Sequence, residues 1–168
     1  MERILLIALS LVLVIGTATA QGKKERKSPM KEASANMAGS DIKVVYSSPS
    51  VKGRAIWGEL LPYNKVWRTG ANEATTFETS EDIKVENKAL PAGKYALFTI
   101  PSEKGWTIIF NSVWEQWGAY KYDESKDVLR VQVNPKKAEL EEMMVISLQK
   151  GQMIIAWEKL MVPVRISK

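Results

Sequence analysis

Trp106-Thr107-Ile108-Ile109-Phe110-Asn111, Leu129-Arg130-Val131-Gln132-Val133 and Met153-Ile154-Ile155-Ala156-Trp157-Glu158 decide the fold. In each, large apolar side chains stand at alternate positions, and a period of two is the signature of a strand with one face in a core. Working outward, the same reading predicts strands at 42–46, 54–60, 75–79, 83–86, 94–100, 128–133, 145–149 and 161–166. They are bounded by the turn signals Asn87-Lys88, Pro91-Ala92-Gly93, 101–105 and Lys150-Gly151, the last reading as a hairpin. Asn134 as a cap and Pro135 in a first turn predict one short helix running to Met144. The expected fold is therefore all-β: an antiparallel β-sandwich, jelly-roll or immunoglobulin-like, of about ten short strands with at most one or two short helices.

The chain has 168 residues, 45% hydrophobic and 26% charged, which fits one globular domain and excludes a multi-span membrane protein. It contains neither His nor Cys. That removes the commonest general base and metal ligand, disulfides, thiol nucleophiles and every Ser-His or Cys-His mechanism. Asp/Glu, Lys, Tyr, Ser/Thr and Arg are the chemistry that is left. No cofactor and no metal site is expected, and no glycine-rich phosphate loop is present. The acidic stretch Asp123-Glu124-Ser125-Lys126-Asp127 lacks the alternation and bend glycine of a calcium loop and reads as a solvated turn.

Residues 1–20 read as a cleaved signal peptide. The run from Ile4 to Ile15 is apolar except for Ser10, too short to span a bilayer, and Ala18 and Ala20 satisfy the small-x-small cleavage rule. Export to the periplasm or the extracellular space follows as an expectation, with no transmembrane span after cleavage. Residues 21–40 carry five basic and two acidic side chains and no aromatic or β-branched residue, and read as a basic disordered linker. This stretch holds more than half of the net charge of +5, so the body is near neutral and nucleic acid is not an expected partner. Residues 41–168, which contain every aromatic residue, form the single sandwich domain.

Between residues 48 and 122 the sequence is unusual. It contains Ser48-Pro49-Ser50-Val51-Lys52-Gly53-Arg54, Leu61-Pro62-Tyr63-Asn64-Lys65-Val66-Trp67-Arg68-Thr69-Gly70-Ala71-Asn72-Glu73-Ala74-Thr75, Leu90-Pro91-Ala92-Gly93-Lys94-Tyr95 and Trp117-Gly118-Ala119-Tyr120-Lys121-Tyr122-Asp123. With Asp127-Val128-Leu129-Arg130-Val131 and Trp157-Glu158, these strings resemble the family of exported bacterial proteins known as domain of unknown function 2911. The resemblance implies an exported domain and carries no assigned activity or catalytic residue.

Two non-periodic segments supply the candidate ligand site: Arg68, Asn72 and Glu73 from one, Trp117 and Tyr120 from the other. Arg68 offers a planar five-donor fork for carboxylates or phosphates, Asn72 both donates and accepts, and Glu73 accepts or titrates, with Gly70 allowing a bend that gathers them. An internal Arg68–Glu73 ion pair pinning the loop is the competing reading. Trp114, Trp117, Tyr120 and Tyr122 form either a platform for sugar rings or flat ligands, or a cap on the end of the core, whereas Trp57, Trp106 and Trp157 sit in strand patterns and read as core. The expected function is an exported, non-catalytic module binding a glycan, peptide or small molecule. The alternatives are a carboxylate-dependent hydrolase or lyase drawing on Glu59, Glu73, Asp123 or Glu158, and an envelope module that meets another protein.

Replacing Ala18 and Ala20 with bulky residues is expected to block processing. The intact mass of the exported protein checks this, with Gln21 the expected first residue of the unmutated chain.

Overall fold

A computed structural model describes residues 26–168; residues 1–20, expected to be a signal peptide, and residues 21–25 lie outside them. Ten strands form two antiparallel sheets. The strands are β1 (Met30–Met37), β2 (Ser40–Ser47), β3 (Thr75–Thr79), β4 (Ile83–Val85), β5 (Lys88–Leu90), β6 (Gly93–Ile100), β7 (Trp106–Asn111), β8 (Asp127–Val133), β9 (Lys136–Gln149) and β10 (Gln152–Ser167). The order is β1-β2-β3-β6-β7-β8 in one sheet and β5-β4-β10-β9 in the other. Their facing sides meet in one core, to which Val44, Phe77, Leu97, Ile108 and Phe110 come from the first sheet and Val85, Met144, Ile155 and Val164 from the second.

Three hairpins turn on two residues that both have positive φ: Ala38-Gly39, Glu86-Asn87 and Lys150-Gly151. Such turns match the twist of the flanking strands and fix their register. Four indoles fill one end of the core, with Trp57 5.0 Å from Trp106 and 5.8 Å from Trp157, and Trp67 stacked on Trp157 at 5.8 Å. The Trp67 Nε1–H donates to the Gly70 carbonyl at 2.9 Å. After β2 the chain leaves the first sheet and is stitched to the second. Val51 N–H donates to the Glu142 carbonyl, Met144 N–H to the Pro49 carbonyl, and the Ser48 hydroxyl to the Met144 carbonyl at 2.6 Å.

Four sequence expectations are corrected. Residues 30–37, assigned to the linker, are a complete edge strand paired with β2 along their whole length. Their alternation is real but weak, with Ala33, Ala35 and Met37 turned toward the core and Glu32, Ser34 and Asn36 exposed. Polar, Lys-bearing edge strands are how sheets avoid pairing with other chains. The stretch from Asn134 to Met144 is extended, not helical. The good helix formers of Lys136–Glu142 are overridden by pairing with β10. The strands expected at 153–157 and 161–166 are a single 16-residue strand in which the buried set changes from odd to even positions. Irregularities around Glu158, itself at φ 55°, insert the extra residue that flips the phase. Residues 54–60 form turns rather than a strand. Here Ile56 and Trp57 enter the core from a compact loop closed by Leu61 N–H donating to the Ile56 carbonyl.

Phe77→Ala, which empties a fully buried ring site at the centre of the first sheet, is expected to cost roughly 3–5 kcal/mol. Chemical denaturation followed by far-UV circular dichroism, a spectrum dominated by strand, measures it.

Candidate functional site

The first sheet is apolar on both sides along β6 and β7. Leu97 and Ile108 face the sandwich core, while Ala96, Phe98 and Ile109 point outward, yet all are fully buried. What covers the outward set is loop: Val66 and Ala74 from one segment, Ala119 and Tyr122 from the other. The Tyr122 ring meets Phe98 edge-on at 5.1 Å, and its hydroxyl donates to Asp127 at 2.6 Å. Burial and that carboxylate hold the Tyr122 hydroxyl well above its ordinary pKa, so it stays protonated as a structural donor. Tyr122 is thus the cap of the two sequence alternatives.

The two covering segments cross each other as a short ladder. Ala74 N–H donates to the Gln116 carbonyl and Gly118 N–H to the Asn72 carbonyl, both at 3.0 Å, which sets Glu73 directly opposite Trp117. Opposed residues on such a ladder share a face. Gly70 serves this arrangement by size: a Cβ there would lie 2.9 Å from the Ser47 carbonyl oxygen and 3.0 Å from the Thr75 hydroxyl. Ala71 N–H donates to the same Ser47 carbonyl, so the loop is pressed onto the end of β2. Thr69 and Asn72 both adopt left-handed backbone, at φ 53° and 59°. For a β-branched residue such as Thr69 this conformation is costly. It is held by two hydroxyl contacts, Thr75 donating to the Thr69 carbonyl at 2.8 Å and Thr69 to Thr99 at 3.2 Å.

Beside the ladder lies a cleft of about 440 Å³. Val45 and Thr76, paired across β2 and β3, line it together with Met30 of β1 and Trp114, Gln116 and Trp117 of the aromatic loop. Its charged groups are Glu73, Glu115 and Lys94, whose ammonium stands 4.1 Å from the centre of the Trp114 ring. Trp117 is 59% exposed, which leaves its indole available to a ligand. A hollow of similar volume, about 450 Å³, over β1 to β3 near Asn36 and Ser80 has no aromatic wall.

The five candidate residues all lie on or beside the crossing, and they divide. Glu73 and Trp117 line the cleft; Arg68, Asn72 and Tyr120 do not. The expected alternative of an Arg68–Glu73 ion pair is not formed. Glu73 instead accepts two hydrogen bonds from the Arg26 guanidinium, both at 2.8 Å, and Asn72 donates to the Ser28 carbonyl at 3.4 Å. The segment before β1 therefore runs over the crossing, a contact hidden from sequence reasoning because 47 residues separate the partners. The Arg26 hydrogen bonds hold the Glu73 carboxyl below its ordinary value of 4.5. Sequence reasoning also left Trp114, Lys94 and Glu115 outside the candidate list; the aromatic-cluster argument had reached Trp114, while Lys94 lies within a strand pattern and gave no signal. Among the described residues, no group of three acidic side chains could hold a metal.

Because the folded-state carboxyl of Glu73 is depressed, the Arg26 contact stabilises the fold at neutral pH and is lost as pH falls through that lowered value. Thermal unfolding from pH 7 down to pH 3 is expected to show a small, salt-sensitive acid loss that Glu73→Gln removes. Gly70→Ala is expected to be the more damaging change, because rigid backbone and a buried hydroxyl leave its methyl no room.

Neither the curated proteins nor the solved structures contain a match to this chain. A family model does match, over residues 28–166, which takes in β1 and nearly everything after it. The chain thus belongs to the family described as protein of unknown function DUF2911.

Proposed function

We propose that the protein is an exported, non-catalytic module that binds a glycan in the cleft beside Trp117. The observation that carries this reading is an indole 59% exposed in the lining of an apolar cleft, directly across a two-hydrogen-bond ladder from a carboxylate. A sugar ring presents an apolar C–H face and a rim of hydroxyls. The indole suits the first, and Glu73, kept ionised by Arg26, suits the second as an acceptor. The ladder, the strained Thr69 and the close fit at Gly70 hold these groups in place before any ligand arrives, which lowers the ordering cost of binding. Export is the companion proposal, supported by the Ile4–Ile15 apolar run and the Ala18/Ala20 pair.

One observation favours hydrolysis instead: two carboxylates, Glu73 and Glu115, line the same cleft. A glycosidase needs one of its pair protonated near neutrality. Glu73 is pushed the other way and does not fill that role.

Calorimetric titration with a panel of neutral oligosaccharides is expected to show binding that Trp117→Ala weakens roughly tenfold, the equivalent of about 1.4 kcal/mol. The melting temperature should change little, since the side chain is largely exposed. Absence of binding across the panel overturns the glycan reading, and release of labelled product that Glu115→Gln abolishes replaces it with hydrolysis.

A further inference from the structure

Loops cover the outward face of the first sheet over β6 and β7, where Ala96, Phe98 and Ile109 lie buried beneath them. Over β1, β2 and β3 the same face is largely exposed, and it holds both the cleft beside Trp117 and the hollow near Asn36 and Ser80. Strand register makes these two neighbours. Alternate residues of a strand share a face, so Val45, which lines the cleft, is followed on β2 by Lys43 and Asp41, which line the hollow. On β3 Thr76 belongs to the cleft and Glu78 to the hollow, with Val45 directly opposite the first and Lys43 directly opposite the second. Glu78 also stands opposite Lys94 of β6, a residue of the cleft, and the two side chains meet at 3.9 Å. Lys94 in turn lies over Trp114, so contacts lead from the aromatic loop through Lys94 and Glu78 into the second hollow.

The chemistry changes along this course. Val45 and Thr76, at the aromatic end, are half-buried, whereas Ser34, Lys43, Glu78 and Ser80 are exposed. The charges are met from within: Lys43 lies 2.9 Å from Glu32, and Lys94 is the partner of Glu78. Asn36 donates to Asp41 at 2.8 Å, and the Asp41 N–H donates to the Ser80 hydroxyl at 2.9 Å. A surface on which cations already face carboxylates does not select an ion. It offers closely spaced donors and acceptors, which suits groups that do both, and hydroxyls are such groups. An extended peptide would seek unpaired backbone N–H and C=O groups, and β2 and β3 each have a strand on both sides. Recognition on this face therefore falls to side chains.

We infer that the cleft and the hollow are one trough, and that its ligand is a linear neutral oligosaccharide lying along β2 and β3 with one end against Trp117. The inference rests on the glycan reading of the cleft. From Ser47 in the cleft to Asp41 in the hollow is six residues of β2, roughly 20 Å at about 3.3 Å per residue. A single sugar ring beside Trp117 leaves most of that length empty, while a chain of several rings fills it. The indole then holds one ring by its apolar face, and Lys43 and Asn36 meet the hydroxyls of the distal rings, directly or through water.

The test is a calorimetric titration of the purified protein with β-1,4-linked glucose oligomers, from the dimer to the hexamer. Affinity is expected to rise with length, the hexamer binding about tenfold more tightly than the dimer through about two added hydrogen bonds. Lys43→Ala combined with Asn36→Ala should remove that gain and leave the affinity for the dimer unchanged, since neither residue lines the cleft. In the unmutated protein the hexamer, and not the dimer, should shift the backbone amide resonances of Ser34, Asn36 and Ser80, a readout that stands if the double variant folds poorly. Equal affinity for dimer and hexamer overturns the trough and leaves the glycan reading intact. So does a gain with length that survives the double variant or leaves those resonances in place. Length-dependent binding that needs Lys43 and Asn36 but is untouched by Trp117→Ala keeps the trough and overturns the reading of the cleft. Absence of binding by every oligomer overturns both.

Discussion

Strands β6 and β7 are apolar on both faces, and a two-layer sandwich has nothing of its own to cover the outer one. Phe98 and Ile109 would lie in water if the first sheet ended at its solvent side. At roughly 25 cal/mol per Å² of apolar surface, leaving a Phe and an Ile uncovered would forfeit several kcal/mol, a large share of a domain's net stability. Two loops meet this need by becoming a third, partial layer. Their crossing, with Ala74 and Ala119 beneath it, is a packing solution first, and the cleft is the space left over where that layer stops short of β2 and β3. Site and core cover are therefore one construction, which explains why loop residues here have the burial of strand residues.

The two halves of the crossing are stabilised by different means. Residues 68–73 are fixed from below by backbone contacts and buried hydroxyls: Ala71 on Ser47, Thr69 on Thr99, and Thr75 on the Thr69 carbonyl. Residues 112–122 are fixed at their far end by a polar network in which Asn111 donates to Asp127 at 2.8 Å and Tyr122 donates to the same carboxylate. That carboxylate also lies 3.3 Å from Arg130, so the end of the aromatic loop is held by charge-assisted hydrogen bonds. Between these anchors Trp117 and Tyr120 stay exposed.

The sandwich was legible because its core strands state their pattern locally. Leu129, Val131 and Val133 alternate cleanly, and Lys150-Gly151 announces its turn. The errors came where the deciding information lies elsewhere in the chain. Nothing in Lys136–Glu142 outweighs its helical propensity except β10 alongside it, and Ala33 and Ala35 are too small to signal an edge strand. The bulge at Glu158 splits one strand into two apparent ones, because a period-two reading breaks wherever the phase flips. The candidate site was legible as composition, polar directional groups in one loop and rings in another. Its pairings were not: Arg26, 47 residues from Glu73, took the place assigned to Arg68.

Tyr46 exchanges hydrogen bonds with Ile146 across 100 residues of chain, and Ser48 reaches Met144 across 96. The end of β2, against which Gly70 and Ala71 rest, is therefore completed by a strand that is synthesised about a hundred residues later. Contacts of such long range incur the loop-closure entropy of everything between them before they gain anything. The hairpins β1–β2 and β9–β10 can close early on local turns, whereas the loop crossing waits for both to dock. The loop crossing is thus among the last parts of the molecule to come into being, and a chain truncated between residue 122 and β9 would have both loops in full and no finished crossing made from them.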